Sequence, residues 1–171
     1  MLVVFGGLAG TGKTTLARRV AAGRSAAYIR IDAIEAAMWR AGVSRSEPTG
    51  LAAYVVADAI AEGSLRAGTP VVVDAVNPVE EARRGWRELS ARTGAPLYVI
   101  EVVCSDRAEH RRRVEQRQSD LEELSVPTWA DVVAREYEPW HEPRLVVDTA
   151  EALTACIRQI EDHLLGVAGA A

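Results

Sequence analysis

Lysine is almost missing from this chain of 171 residues. Lys13 is the only one, and arginine supplies the rest of the 20 basic side chains. An ammonium kept at one position marks a place that needs a compact point charge, because a larger planar guanidinium does not replace it. Cysteine is limited to Cys104 and Cys156, far apart and in no metal-ligand spacing. This excludes a disulfide framework and leaves two reduced thiols in a cytoplasmic protein as the expectation. No apolar run approaches the ~18 residues of a membrane helix. No secretory leader is visible, since a Gly-rich motif begins within a few residues of Met1. No charge sign dominates: the formal net charge is −4, which gives no sequence-wide reason to expect nucleic acid or a membrane surface as partner. No repeat and no linker divides the chain, so residues 1–171 are expected to form one domain around a single sizeable core.

What is present alternates. Short apolar runs at Leu2–Phe5, Ala27–Ile31, Pro70–Val73, Leu97–Val103 and Leu145–Val147 read as buried strands. Helical patterns follow them at Thr14–Ala22, Ala33–Ala41, Leu51–Ala67, Val79–Thr93, Asp106–Gln118 and Trp129–Glu138. A last helix carries Leu153, Cys156, Ile157, Ile160 and Leu164 on one face, and 167–171 reads as a frayed tail. Gly42–Gly50 and Leu121–Pro127 are irregular. The alternation predicts an α/β three-layer sandwich, a five-stranded parallel sheet with helices on both faces. Such sheets bind ligands beyond the carboxyl ends of their strands. Four of the five strands lead there into a polar feature: the Gly-rich turn, Asp32, Asp74 and Asp148.

The turn is the most specific feature. Gly7-Leu8-Ala9-Gly10-Thr11-Gly12-Lys13-Thr14 matches G-x-x-x-x-G-K-[ST] at every fixed position, between a strand and a helix. Glycines let successive N–H groups point inward as an anion nest, and the helix start adds its positive dipole end. The motif implies a nucleoside triphosphate, ATP with Mg2+. Lys13 reaches the β- and γ-phosphates and the Thr14 hydroxyl ligates the metal. Thr15 closes the run and packs or caps.

Asp32 ends the second strand, beside the loop, where a carboxylate can accept a proton from an attacking hydroxyl. The alternative is that it only caps the next helix, with Glu35 at the third helical position of a capping box. Asp74 ends the run Val71-Val72-Val73 and suits a Walker B carboxylate holding Mg2+, with a cap, a structural hydrogen bond or a share of the base role as alternatives. In the charged helix after the fourth strand, Arg113 and Arg117 fall on one face, one turn beyond Glu109. They could neutralise the transferring phosphoryl group, or belong to a solvated face paired with Glu109 and Glu115. The guanine-reading N-K-x-D is absent, and nothing suggests a motor.

In this order of features the chain resembles the small P-loop kinases. The segment Ile31-Asp32-Ala33-Ile34-Glu35-Ala36-Ala37-Met38 is similar to that of the chloramphenicol phosphotransferases. More broadly the chain resembles the group with zeta-toxin kinases, gluconate kinases and the kinase domain of polynucleotide kinases. The resemblance implies that Asp32 is base or aligner of an acceptor hydroxyl, and that about 107–137 forms a lid over ATP. Polynucleotide kinases often carry an arginine where this chain has Glu35, which disfavours a polynucleotide acceptor. The expected function is phosphoryl transfer from ATP to a hydroxyl of a small molecule. The alternatives are a polynucleotide or nucleotide-sugar kinase, and a non-catalytic ATP-binding regulatory module. Trp39, Tyr54, Asn77 and Arg83 join Asp32 as candidates for the acceptor pocket.

Overall fold

The computed structural model describes residues 1–166; the tail reading for 167–171 lies outside them. The sheet holds β1 (Leu2–Gly6), β2 (Ala27–Arg30), β3 (Val71–Asp74), β4 (Leu97–Val103) and β5 (Leu145–Asp148). All pairings are parallel, in the order β2-β3-β1-β4-β5. Helices α1 (Lys13–Gly23) and α7 (Leu153–Gly166) cover one face, and α3 (Thr49–Arg66) and α4 (Glu80–Thr93) the other. Between them in sequence run α2 (Ile31–Arg40), α5 (Arg107–Gln116) and α6 (Trp129–Ala134). The three-layer architecture expected from the alternation is the one observed.

Period-two alternation explains how the apolar strands serve both faces. Val3 and Phe5 of β1 pack with Leu16, Val20, Ile160 and Leu164. Leu2 and Val4 pack the other way, with Ala53, Ala57, Ala61, Trp86 and Leu89. The alanines recur every four residues, so α3 meets the sheet along a stripe of small side chains.

Register sets the position of the polar groups. Arg30 pairs with Asp74, and Asp74 with Phe5, in one row across β2, β3 and β1. The Gly-rich turn leaves the sheet immediately beyond that row. Gly7 can have no side chain: a Cβ would lie 2.2 Å from the Val102 carbonyl oxygen, and its φ is +133°.

Two boundaries differ from expectation. Helix α2 starts at Ile31 with Arg30 as N-cap and no side-chain cap, so Asp32 does not cap it. Glu35 instead accepts from the Thr49 hydroxyl at 2.7 Å. Helix α6 ends at Ala134 rather than Glu138. Beyond it the backbone is drawn onto α4, where Arg83 donates to the Glu138 and Pro139 carbonyls at 2.7 and 2.8 Å.

The same reach removes two acceptor-pocket candidates. Arg83 is buried and also donates to the carbonyls of Asn77 and Pro78, with its guanidinium 4.0 Å from the Trp140 ring centroid. Asn77 is fully buried; its amide donates to Phe5 O at 3.0 Å and accepts from Trp86 Nε1 at 2.9 Å. Both tie strand ends to α4, and neither has polar atoms left for a substrate. Asn77→Ala should therefore strand the Trp86 donor, at about 1–3 kcal/mol, while the Phe5 carbonyl keeps its bond from Ala75 N–H. Gly63→Ala, on exposed α3 with nothing near the added Cβ, should instead stabilise by about 0.5–1 kcal/mol. Urea unfolding midpoints moving in opposite directions are the expected result.

Candidate active site

The loop of residues 7–14 is an open set of donors. Among the described residues, the backbone N–H groups of 10–14 find no protein acceptor. Gly10 and Gly12 have φ of +82° and +89°, a conformation that turns consecutive amides to one side. Gly12 N-caps α1, with no side-chain cap and no acidic residue in the first turn. The positive end of α1 is left to an outside anion. Leu8 and Ala9 form the outer bend: the Thr11 hydroxyl donates to Leu8 O at 2.9 Å, and His110 Nε2 donates to Ala9 O at 2.8 Å. Thr15 is exposed and lines a recess of about 270 Å³ with Gly12, Arg113, Thr149 and Glu151.

Beneath the loop, Lys13 Nζ lies 3.2 Å from Asp74 Oδ1, with both side chains buried. Tyr28 donates its hydroxyl to the other Asp74 oxygen at 2.7 Å. Burial alone would raise the Asp74 pKa. The Lys13 charge and hydrogen bonding from Tyr28 and Thr14 outweigh it and hold the carboxyl below its ordinary value. Burial, and then the Asp74 charge, push the Tyr28 phenol up, so Tyr28 stays a donor.

Arg30 escaped the sequence reading. Its Nε is 4.0 Å from Asp74, its Nη2 is 3.5 Å from Asp32, and its Nη1 is 2.9 and 2.8 Å from the two Asp120 oxygens. Arg18 adds a 2.7 Å contact to Asp120. Hydrogen bonds from Arg30, and further help from Arg18, hold the Asp120 carboxyl at about 2. The available signal was a charged residue inside the apolar run Tyr28-Ile29-Arg30-Ile31.

Asp32 differs from Asp74 in every respect that matters for a base. Its side chain is 34% exposed, and Arg30 at 3.5 Å is its one close cation among the described residues. The acceptor side continues through Glu35 to Tyr54, whose hydroxyl accepts from Asn77 N at 3.1 Å. Burial above all pushes that phenol up to about 12, with the charges of Asp32 and Glu35 adding and Arg135 opposing. From Tyr54 a groove of about 540 Å³ runs between α3 and α4, lined by Leu51, Val55, Pro78, Val79 and Trp86, with Arg135 on its rim. Trp39 is half-buried; its indole donates to Thr49 Oγ1 at 3.1 Å, and the Arg45 guanidinium stacks 4.1 Å from its centroid.

The charged helix does not present its arginines as expected. Arg113 donates to Glu109 at 2.8 Å and to Thr149 Oγ1 and O at 2.8 and 2.9 Å. Thr149 in turn donates to Thr11 O at 2.7 Å. Arg113 thus anchors α5 to the phosphate loop, with its guanidinium occupied. Arg117 is the extended C-cap of α5, and its side chain makes no hydrogen bond or ion pair among the described residues. The irregular 117–128 is clasped by carboxylates, Asp120 on Arg30 and Arg18, and Glu123 on Arg45.

Comparison with known proteins agrees with this geometry. Residues 2–139 match the AAA_33 family, described as an AAA domain. The chain belongs to this family. No curated protein matches it. Among solved structures, Chaetomium thermophilum Kti12 in complex with ADP-AlF3 superposes with a TM-score of 0.73 at 23% identity, over 97% of this chain and 98% of that one. Mycobacterium tuberculosis APS kinase CysC, in complex with AMPPNP and APS, gives 0.70 at 20%, over 95% and 96%. A Sinorhizobium meliloti gluconokinase gives 0.65 at 19%, over 98% and 93%. At these identities the likeness is one of fold, that of the small P-loop kinases.

Mg2+ would fit between Thr14 and Asp74, where a hydroxyl stands beside a carboxylate held ionised. The described residues hold no group of three or more His, Cys, Asp or Glu suited to a metal.

The Thr149 anchor can be tested alone. Thr149→Val keeps the shape but removes the donor to Thr11 and an acceptor of Arg113. We expect a loss of about 1–3 kcal/mol in urea unfolding, with faster hydrogen exchange across 110–114. Unchanged exchange there would show that α5 is held to the loop by other means.

Proposed function

We propose that the chain is a kinase that transfers the γ-phosphoryl group of ATP, with Mg2+, to a hydroxyl of a small molecule. The observation that carries this reading is the division between two carboxylates on either side of Arg30, one ending β3 and one in the first turn of α2. Asp74 is buried and neutralised by Lys13; Asp32 is partly open, with Arg30 alone close by among the described residues. A group already saturated with donors is a poor proton acceptor, whereas a partly solvated carboxylate is a usable one.

The residues then act as follows. The amides of 10–14 and the α1 dipole bind the phosphates. Lys13 leaves Asp74 and follows the γ-phosphoryl group. Thr14 and Asp74 would hold Mg2+, which when bound neutralises charge on the β- and γ-phosphates. Asp32 aligns the acceptor hydroxyl and takes its proton as the oxygen bonds to the γ-phosphorus and the bond to the β-phosphate oxygen breaks. ADP and the phosphate ester leave.

The largely apolar groove from Tyr54 to Trp86 supports an acceptor with an apolar body. No helix among the described residues is long and apolar enough to cross a membrane.

Two measurements test the reading. Acceptor-dependent ADP release should be found by screening hydroxylic compounds with apolar bodies; a chain that binds ATP yet phosphorylates none would favour a regulatory module. With an acceptor in hand, Asp32→Asn should lower kcat by about 10²–10⁴-fold with ATP affinity kept, and Lys13→Ala should abolish turnover. A larger kcat loss in Asp74→Asn than in Asp32→Asn, at saturating Mg2+, would exchange the two roles. Thr14→Ala should raise the Mg2+ concentration needed for half-maximal rate, and an unchanged titration would remove Thr14 from the metal site.

A further inference from the structure

We propose that Arg30 and Arg18 form an anion site for the transferring phosphoryl group, and that the Asp120 carboxylate occupies this site until a triphosphate arrives. The proposal rests on the kinase reading above for where the triphosphate lies. The pair itself is seen directly.

Arg30 is 3% exposed at the end of β2 and stands between two carboxylates. Asp74, on the Lys13 side, is 4.0 Å away, and Asp32, on the acceptor side, is 3.5 Å away. A phosphoryl group passing from the loop to a hydroxyl held by Asp32 must cross the ground that this guanidinium faces. Arg30 Nη1 meets both oxygens of Asp120, and Arg18 Nη2 meets one of them. Two guanidiniums converging on one carboxylate reproduce the recognition of a phosphoryl group, with the carboxylate oxygens standing in for equatorial phosphoryl oxygens.

Two further observations favour an exchangeable occupant. The Arg30 Nε is buried and has no hydrogen-bond partner, a cost that a ligand oxygen would remove. Asp120 has a side chain 42% exposed, in a stretch without helix or strand. It can withdraw without disturbing the core, while Arg30 is fixed by its strand. Arg113 of α5 does not compete for the task, since it is committed to Thr149. Entry of a γ-phosphate would place its charge against Asp120 and drive the carboxylate out. The clasp on 117–128 would then open as the site fills.

The test is calorimetric binding of AMPPNP and of ADP, each with Mg2+. Asp120→Ala should bind AMPPNP about tenfold more tightly, because the competing carboxylate no longer reduces the fraction of open sites, with ADP affinity changed less than about twofold. Arg18→Gln, at an exposed position, should weaken AMPPNP selectively, and Arg30→Lys should do so more strongly if it folds. Glu123→Ala removes a neighbouring carboxylate of the same segment and should leave both affinities within about twofold. Equal shifts for both nucleotides, no shift in Asp120→Ala, or the same tightening in Glu123→Ala would each overturn the site. The first two would also be seen if the pair read an anion on the acceptor instead. Selective tightening without acceptor-dependent ADP release by the unaltered chain would keep the site and remove the kinase reading.

Discussion

The ion pair between Lys13 and Asp74 holds the site together. It joins the first residue of α1 to the last residue of β3, and so fixes the phosphate loop over the centre of the sheet. A buried pair is costly to desolvate and is weak evidence for stability in itself. Here the cost is reduced by sharing: Asp74 also takes a hydrogen bond from Tyr28 and faces Arg30. Helix α1 and strand β2 therefore converge on the carboxylate that ends β3. The pair leaves the ammonium poised under the amides of the loop, where an incoming phosphate can replace the carboxylate as its partner. Lysine suits that exchange better than arginine, since a compact charge can change partners without re-forming a planar fork.

The phosphate loop, the parallel sheet and the strand-end carboxylates were legible in the sequence because each depends on neighbours within a few positions. Glycine spacing, β-branched runs and the terminal aspartates carry that information locally. Interactions across long separations carried no such signal. Asp120 meets Arg30 from 90 positions away and Arg18 from 102, and nothing in the 117–128 stretch distinguishes that carboxylate from its acidic neighbours. Side-chain direction was equally hidden. Asn77 and Arg83 lie at the right end of the sheet, but they point into the α4 junction and take up backbone groups. Arg113 lies on α5, but the helix ends before Arg117, its extended C-cap, so the two do not share a helix face; Thr149, reached only through the folding of β5 beside β4, takes Arg113.

Helix boundaries erred where tertiary contacts override local preference. Asp32 has the chemistry of a cap but lies inside the first turn of α2, because Arg30 is held in the sheet by its register with Asp74. That two-residue difference has a chemical consequence. A capping carboxylate would be engaged with its own helix amides; in the first turn, Asp32 stays partly exposed, with Arg30 as its close partner.

Residues 107–128 combine a firmly held helix with a loosely held stretch. Helix α5 is bound to the loop through His110, Arg113 and Thr149, by hydrogen bonds to the backbone that would survive a change of ligand. The stretch beyond it is held by exposed or half-exposed carboxylates on arginines. Pairs of that kind contribute little when solvated and exchange readily for a better anion. Phosphate is such an anion, carrying more charge and more acceptor oxygens than a carboxylate. A segment fastened by apolar packing would have to expose that surface to open. One fastened by a carboxylate on a phosphate-binding arginine needs only the ligand itself to release it, so opening of the stretch and filling of the site become the same event.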